Sequence, residues 1–260
     1  MIKPKKKLGQ NFILSSDITD KIAALAGDLS EFNVIEVGPG FGSLTRSILE
    51  CNPKYLLSIE KDESLISKHN SLIENYDGKY QILNADALHV KERELIDKPV
   101  KVIANLPYNV SVVLLLKWLE DINFFTSLTL MFQKEVADRI VATPNSKSYG
   151  RLSILTQLFC DVKKEFDLKP EAFFPKPKVD SSIVTITPLP APRFSVDICT
   201  LKKVMNTVFS KRRKMLSSSL KEISHNTDAL LNAAEIEGSK RPEDLSIEQF
   251  CRLANALYKQ

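Results

Sequence analysis

Four consecutive residues, Asn105-Leu106-Pro107-Tyr108, carry the groups from which chemistry on an aromatic amine could be built. The exocyclic amine of adenine is a poor nucleophile because its lone pair is delocalised into the ring. A catalyst must therefore polarise it and not merely hold it. The Asn105 side-chain oxygen and the Leu106 carbonyl can accept its two N–H bonds, favouring a pyramidal nitrogen aimed at an electrophile. Pro107 has no N–H and stiffens the turn, and Tyr108 offers a face for a base taken out of its stack. Alone, the tetrapeptide would be an ordinary strand-end turn, so its meaning depends on what converges with it.

Three further features point to a nucleoside ligand. Val34 to Gly42 reads V-I-E-V-G-P-G-F-G, an apolar run followed by glycines that let the backbone turn sharply and approach a ligand closely. A dinucleotide loop wants G-x-G-x-x-G, whereas Gly38, Gly40 and Gly42 give G-x-G-x-G with Glu36 two positions earlier. That spacing looks more like the S-adenosylmethionine (SAM) fingerprint of methyltransferases; the plainer alternative is a tight strand-to-helix connection without a ligand. Glu60 ends the next apolar run, 22 residues after Gly38, the offset at which a strand-end acid accepts ribose hydroxyls. Asp86 follows a third run and could accept the adenine amine of the cofactor, or cap a helix, or both. Because the leaving group of SAM is already a cationic sulfonium, no general base, metal or covalent nucleophile is required.

These residues need a scaffold that brings strand ends together. Alternating apolar runs and helical periodicities do this: strands at 34–36, 54–60, 79–84, 100–104 and 127–132, with helices at 43–50, 62–76, 110–120 and 133–142 following them. The pattern predicts a doubly wound α/β domain with its ligand beyond the carboxyl ends of the strands. His69 is expected at the surface or partly buried, and Trp118 in the core. A helix is expected at 151–160, and strands 162–168 and 182–187 should form an antiparallel pair at the sheet edge. Pro188 to Pro192 reads as a linker, beyond which about four short helices follow. The expected division is thus 1–188 and a small all-helical C-terminal domain, 189–260.

Composition sets bounds. A chain of 260 residues, 43% hydrophobic, can fill a core and a small appendage. Its densest apolar run, Val112 to Leu116, is stopped by Lys117 well short of a membrane span, and the basic start lacks the apolar stretch of a signal peptide. Cys51, Cys160, Cys199 and Cys251 are scattered without metal spacing, which fits reduced thiols in a cytoplasmic protein.

The net charge of +4 is modest but clustered. Lys3, Lys5, Lys6 and Lys7 form an arm that runs into an apolar segment. Lys176 and Lys178 lie in the proline-held stretch Phe173-Phe174-Pro175-Lys176-Pro177-Lys178, where two cations can meet phosphate. There either phenylalanine can stack on a base, with Phe173 chosen to complete a clamp opposite Tyr108. Lys211-Arg212-Arg213-Lys214 is the densest cluster; it is either a solvated face or a phosphate contact.

With these pieces placed, the chain resembles the KsgA-type family of small-subunit ribosomal RNA adenine dimethyltransferases over nearly its whole length. The matching stretches are K-K-K-L-G-Q-N-F-I (5 to 13), E-V-G-P-G-F-G (36 to 42), N-L-P-Y (105 to 108), Q-K-E-V-A-D-R (133 to 139), Y-G-R-L-S (149 to 153), F-F-P-K-P-K-V-D-S (173 to 181), K-R-R-K-M-L (211 to 216) and R-P-E-D-L-S-I-E-Q-F (241 to 250). The resemblance implies a Rossmann-like SAM-dependent methyltransferase domain and SAM contacts at Asn11, Ile13, Gly38, Glu60, Asp86 and Asn105. Asn11 and Ile13 enter only through it. It also implies dimethylation of two adjacent adenosines in a hairpin loop near the 3′ end of the small-subunit RNA; the expected partner is that RNA in an immature subunit, and the protein is expected to be a monomer. Two other readings compete: an Erm-type enzyme acting on large-subunit RNA, and a ribosome-assembly factor whose grip matters more than its methylation.

Overall fold

The computed structural model describes residues 9–259. They form two compact units, of which the first joins 9–137 to 161–188. Its elements, in chain order, are β1 (Phe12–Ile13), α1 (Ser16–Ala24), β2 (Asn33–Val37), α2 (Ser43–Glu50), β3 (Tyr55–Glu60), α3 (Glu63–Ile66), α4 (Asn70–Asn75), β4 (Tyr80–Asn84), β5 (Val100–Asn105), α5 (Ser111–Leu119), β6 (Phe125–Gln133) and α6 (Lys134–Ile140). After the excursion into the second unit come β7 (Cys160–Leu168), β8 (Phe173–Phe174) and β9 (Ser181–Pro188).

Seven strands make the main sheet in the order β4-β3-β2-β5-β6-β9-β7. The first five run parallel, β9 lies antiparallel on β6, and β7 closes that edge. β2 is buried at all five positions, as a strand covered by helices on both faces must be. The chain order reverses between β2 and β5, so their carboxyl ends open a crevice there, the place where such sheets bind ligands. Lys101 is the one charged residue inside β5, and it is 8% exposed. Its ammonium donates to the carbonyls of Ala26 and Asp28 at 2.6 and 2.9 Å, so a buried cation closes the end of α1 instead of lying unpaired.

The expected helix over 62–76 is broken. α3 ends at Ile66, a 3-10 turn spans Ser67–His69, and α4 starts at Asn70. The tighter turn carries His69 inward, where it is wholly buried, which corrects the surface or partly buried position expected for it.

The second unit comprises 138–160 together with 189–259, so the expected boundary is also corrected. α7 (Arg151–Phe159) belongs here because its apolar face, with Tyr149, Ile154 and Leu158, packs into the helical core. That core is completed by α8 (Ile198–Ser210), α9 (Leu216–Ser219), α10 (Thr227–Ala233) and α11 (Ile247–Tyr258). Ser246 and Gln249 form a reciprocal capping box at the start of α11, which satisfies two otherwise orphaned N–H groups.

Candidate active site

At the switch between β2 and β5 lies a cleft that encloses about 1130 Å³, counting the solvent at its mouth. It is lined by Asn11, Ile13, Gly38, Gly40, Glu60, Asp86, Asn105, Leu106, Pro107 and Tyr108. Residues spread over nearly a hundred positions thus converge on one cavity: most end a parallel strand or sit in the loop just after one, while Asn11 and Ile13 come from the short β1 and the residue before it.

The glycine loop is shaped from several sides. Gly38, Gly40 and Gly42 all have positive φ, at 71, 60 and 84°, which a side chain would resist. A Cβ on Gly40 would lie 2.6 Å from the Phe12 ring. The Gly40 N–H donates to Glu60 Oε2 at 3.3 Å, and the Asp62 N–H donates to Oε1 at 2.7 Å. Burial raises the Glu60 carboxyl, and these two N–H bonds act against it. Each carboxylate oxygen retains a lone pair for a hydroxyl, so Glu60 suits a ribose with two adjacent hydroxyls.

Asp86 accepts from Lys61 Nζ at 2.7 Å and from the Leu88 N–H at 3.1 Å. The hydrogen bond from Lys61 holds its carboxyl below the usual range. Lys61 had no signal in the sequence reading, since a lysine after a strand-end acid is ordinary surface chemistry. Gln10, which donates to Asp62 at 3.0 Å, was equally silent.

The reacting edge is more telling. Asn105 Nδ2 donates to the Asn11 carbonyl at 2.9 Å. A carbonyl can only accept, so this bond settles which way the amide faces. The Asn105 Oδ1 and the Leu106 carbonyl accept no hydrogen bond from the described residues, and both residues line the cleft. Pro107 O receives the N–H groups of Val110 and Ser111 at 3.1 and 3.0 Å, tying the turn to the start of α5. The Tyr108 hydroxyl meets Ser181 Oγ at 2.5 Å, which fixes its half-buried ring. Ser181 is the last residue of the F-F-P-K-P-K-V-D-S stretch, and its link to Tyr108 was not foreseen.

The clamp expected of Phe173 needs correction. β8 pairs antiparallel with β1, setting Phe173 against Ile13 and Phe174 against Phe12. Alternation along the strand turns Phe173 into the apolar cluster on which Tyr108 packs, leaving it 1% exposed. It buttresses that wall without an open face. Phe174 points the other way and is 58% exposed.

The profile of ribosomal RNA adenine dimethylases matches residues 1–259. The chain belongs to the ribosomal RNA adenine dimethylase family. Among its relatives is the ribosomal RNA small subunit methyltransferase A of the Wolbachia of Drosophila simulans (strain wRi), 64% identical over 98% of this chain and 94% of that protein. The protein of the same name from Ehrlichia ruminantium (strain Gardel) is 55% identical over 99% and 98%. A dimethyladenosine transferase from Plasmodium falciparum superposes with a TM-score of 0.78 at 26% identity, covering 93% of this chain and 95% of that one. The 23S rRNA methyltransferase ErmE shares the fold at 23% identity and a TM-score of 0.69, over 95% and 99%. This dimethylase is therefore an rRNA-methylating enzyme, and a methyl donor is implied by that activity.

The basic residues of the dimethylase divide into three sets. Lys5, Lys6 and Lys7 lie outside the described residues. Lys176 and Lys178 are both exposed, and Lys176 approaches Glu171 at 3.5 Å. In the second unit Lys211 pairs with Glu222, and Arg212 reaches Glu243 at 3.5 Å and the Ser146 carbonyl at 3.3 Å. Arg213 and Lys214 are exposed and have no ion-pair partner among the described residues. Also among these residues, no His, Cys, Asp or Glu cluster is arranged to hold a metal, no helix is long and apolar enough to cross a membrane, and all four cysteines are free.

Proposed function

We propose that the protein transfers methyl groups from SAM to the N6 amines of two adjacent adenosines in a hairpin loop near the 3′ end of small-subunit ribosomal RNA, acting as a monomer on immature cytoplasmic subunits. The observation that carries the reading is the fixed amide of Asn105, whose free oxygen shares a cleft with a ribose-reading Glu60 and an adenine-reading Asp86. The donor set fits the cofactor: Glu60 takes the ribose hydroxyls, and Asp86 takes the adenine amine in competition with Lys61. Asn11, Ile13, Gly38 and Gly40 line the remainder. When bound, SAM supplies a methyl group on a cationic sulfonium that needs no acid catalyst to depart.

The work left to the chain is positioning and polarisation. Asn105 Oδ1 and the Leu106 carbonyl accept the two N–H bonds of the target amine and draw its lone pair out of conjugation. Preorganised dipoles of this kind are worth about 10²–10³-fold in rate each. Pro107 keeps the two acceptors at one spacing, and the ring of Tyr108, locked by Ser181, receives the extruded base. The proton freed on methylation can leave to solvent through the open mouth, so no buried base is needed. Lys176, Lys178, Arg213 and Lys214 supply the cations for RNA phosphates.

The test is to incubate the protein with labelled SAM and either unmethylated small subunits or protein-free large-subunit RNA, then analyse nucleosides by mass spectrometry. Dimethyladenosine from small subunits alone is the expected result. Product from the large-subunit RNA would overturn the substrate assignment, and no product from either would overturn the catalytic reading.

A further inference from the structure

The mechanism above makes no use of His69, yet this residue is buried completely and both its ring nitrogens are engaged. Nε2 lies 3.1 Å from the Gly40 carbonyl, and Nδ1 lies 2.6 Å from the Tyr80 hydroxyl. A neutral imidazole has one N–H. The carbonyl can only accept, so Nε2 carries the hydrogen and donates it, and Nδ1 accepts from the tyrosine. Burial lowers the pKa of the ring and favours the neutral form this accounting requires. The ring also fills the space behind Gly42, where an added Cβ would stand 3.2 Å from its Cε1. His69 lines no part of the cleft.

The consequence follows from peptide geometry. The Gly40–Phe41 bond is trans, so its C=O and N–H point in opposite directions. With the carbonyl held inward by His69, the Phe41 N–H must point away from the ring. That N–H donates to nothing among the described residues, and Phe41 lines the cleft. A flipped peptide would present a carbonyl oxygen there instead, and glycine at position 40 is the residue that least resists such a flip.

We infer that His69, itself oriented by Tyr80, is a positioning residue that latches the Gly40–Phe41 peptide so that the Phe41 N–H faces the cofactor as a donor. The one anionic group of SAM is the carboxylate of its methionine half, and this is the acceptor the N–H would serve. The inference rests on the reading of the cleft as a SAM site. A hydrogen bond to a charged acceptor is worth about tenfold or more in affinity.

The experiment compares SAM with decarboxylated SAM, which lacks only that carboxylate, by calorimetric titration of the full-length protein. The wild type should bind SAM the more tightly. His69→Leu should weaken SAM about tenfold and leave decarboxylated SAM within about twofold, so that the preference collapses. Tyr80→Phe removes one hydroxyl from the core and should shift the preference in the same direction by a smaller factor; it decides the matter if the leucine variant does not fold. His69→Gln, which keeps an N–H donor, should restore the preference. Equal weakening of both ligands in the leucine and phenylalanine variants, or no weakening of either, overturns the latch while leaving the SAM site standing. A wild type that binds neither ligand overturns the site itself, and the latch with it.

Discussion

The cleft of the first unit and the basic turn of the second handle charge in opposite ways. In the cleft the polar side chains the chemistry calls on are each held by a partner: Glu60 by two backbone N–H groups, Asp86 by Lys61 and Leu88, and Asn105 by the Asn11 carbonyl. On the turn at 211–214, two cations are tied to carboxylates and the next two stand free in solvent. Reaction at an amine depends on angles and distances of a fraction of an ångström, so it requires groups fixed before the substrate arrives. Attraction to a phosphate backbone acts over a Debye length of about 8–10 Å and needs only net charge. Substitutions in the cleft should therefore act on rate or on one ligand, in large steps. Those on the turn should act on affinity, in small and nearly additive ones.

The sharpest way to break that contrast is Asn105→Ala. It removes one of two amine acceptors and leaves the basic surfaces untouched, so kcat should fall about 10²–10³-fold while RNA binding stays within about twofold. Filter binding alongside a single-turnover methylation assay separates the two. Equal losses in both would mean that the cleft grips RNA as much as it reacts with it.

Glu36 is the exception inside the cleft, and it yields the next largest effect. Its Oε2 accepts from Thr45 and Ser58 at 2.7 Å each, but Oε1 is buried without a partner. Burial pushes this carboxyl up to about 7 from an ordinary 4.5. Between those values the folded protein holds a proton that the unfolded chain releases, so stability falls as pH rises through this window and levels off above it. The loss would be at most about 3 kcal/mol. Urea unfolding from pH 4.5 to 7.5 should show this decline, and Glu36→Gln should flatten it. A variant with the slope of the wild type would assign the pH dependence to other groups.

The parts of this protein legible in its sequence were those with a period or a fixed spacing. The strands, the glycine loop, the 22-residue offset of Glu60 and the strand-end placement of Asn105 all came through, because sheet topology converts sequence order directly into proximity. What stayed hidden depended on tertiary partners. His69 sits in what reads as an amphipathic helix, and only its bonds to Gly40 and Tyr80 explain the break at Ser67–His69. Phe173 and Phe174 are indistinguishable as a dipeptide, and the register of β8 on β1 decides which is buried. The same holds for α7, whose periodicity is visible but whose choice of core is not. The Ser181–Tyr108 and Lys61–Asp86 bonds join residues 73 and 25 positions apart, with no local pattern to announce them.

The smallest effect sharpens the other side of the comparison. If Arg213 and Lys214 meet phosphates, replacing both with alanine releases about two fewer counterions on binding. The slope of log affinity against log salt should then become shallower by about 1.5 to 2. Affinity at low salt should drop roughly tenfold, and kcat at saturating RNA should not change, since neither residue lines the cleft. Glu222→Gln supplies the converse: it frees Lys211 from its carboxylate partner, adding a cation to the turn, and should steepen the slope by about one. A slope unmoved by either change would make the turn a solvated face and shift the electrostatic grip to Lys176 and Lys178. Those two lysines precede the exposed Val179 on the loop that ends in Ser181. In that case the same short segment would both attract the RNA and, through the bond from Ser181 to Tyr108, set the ring that receives its base, and the separation of chemistry from grip between the two units would no longer hold.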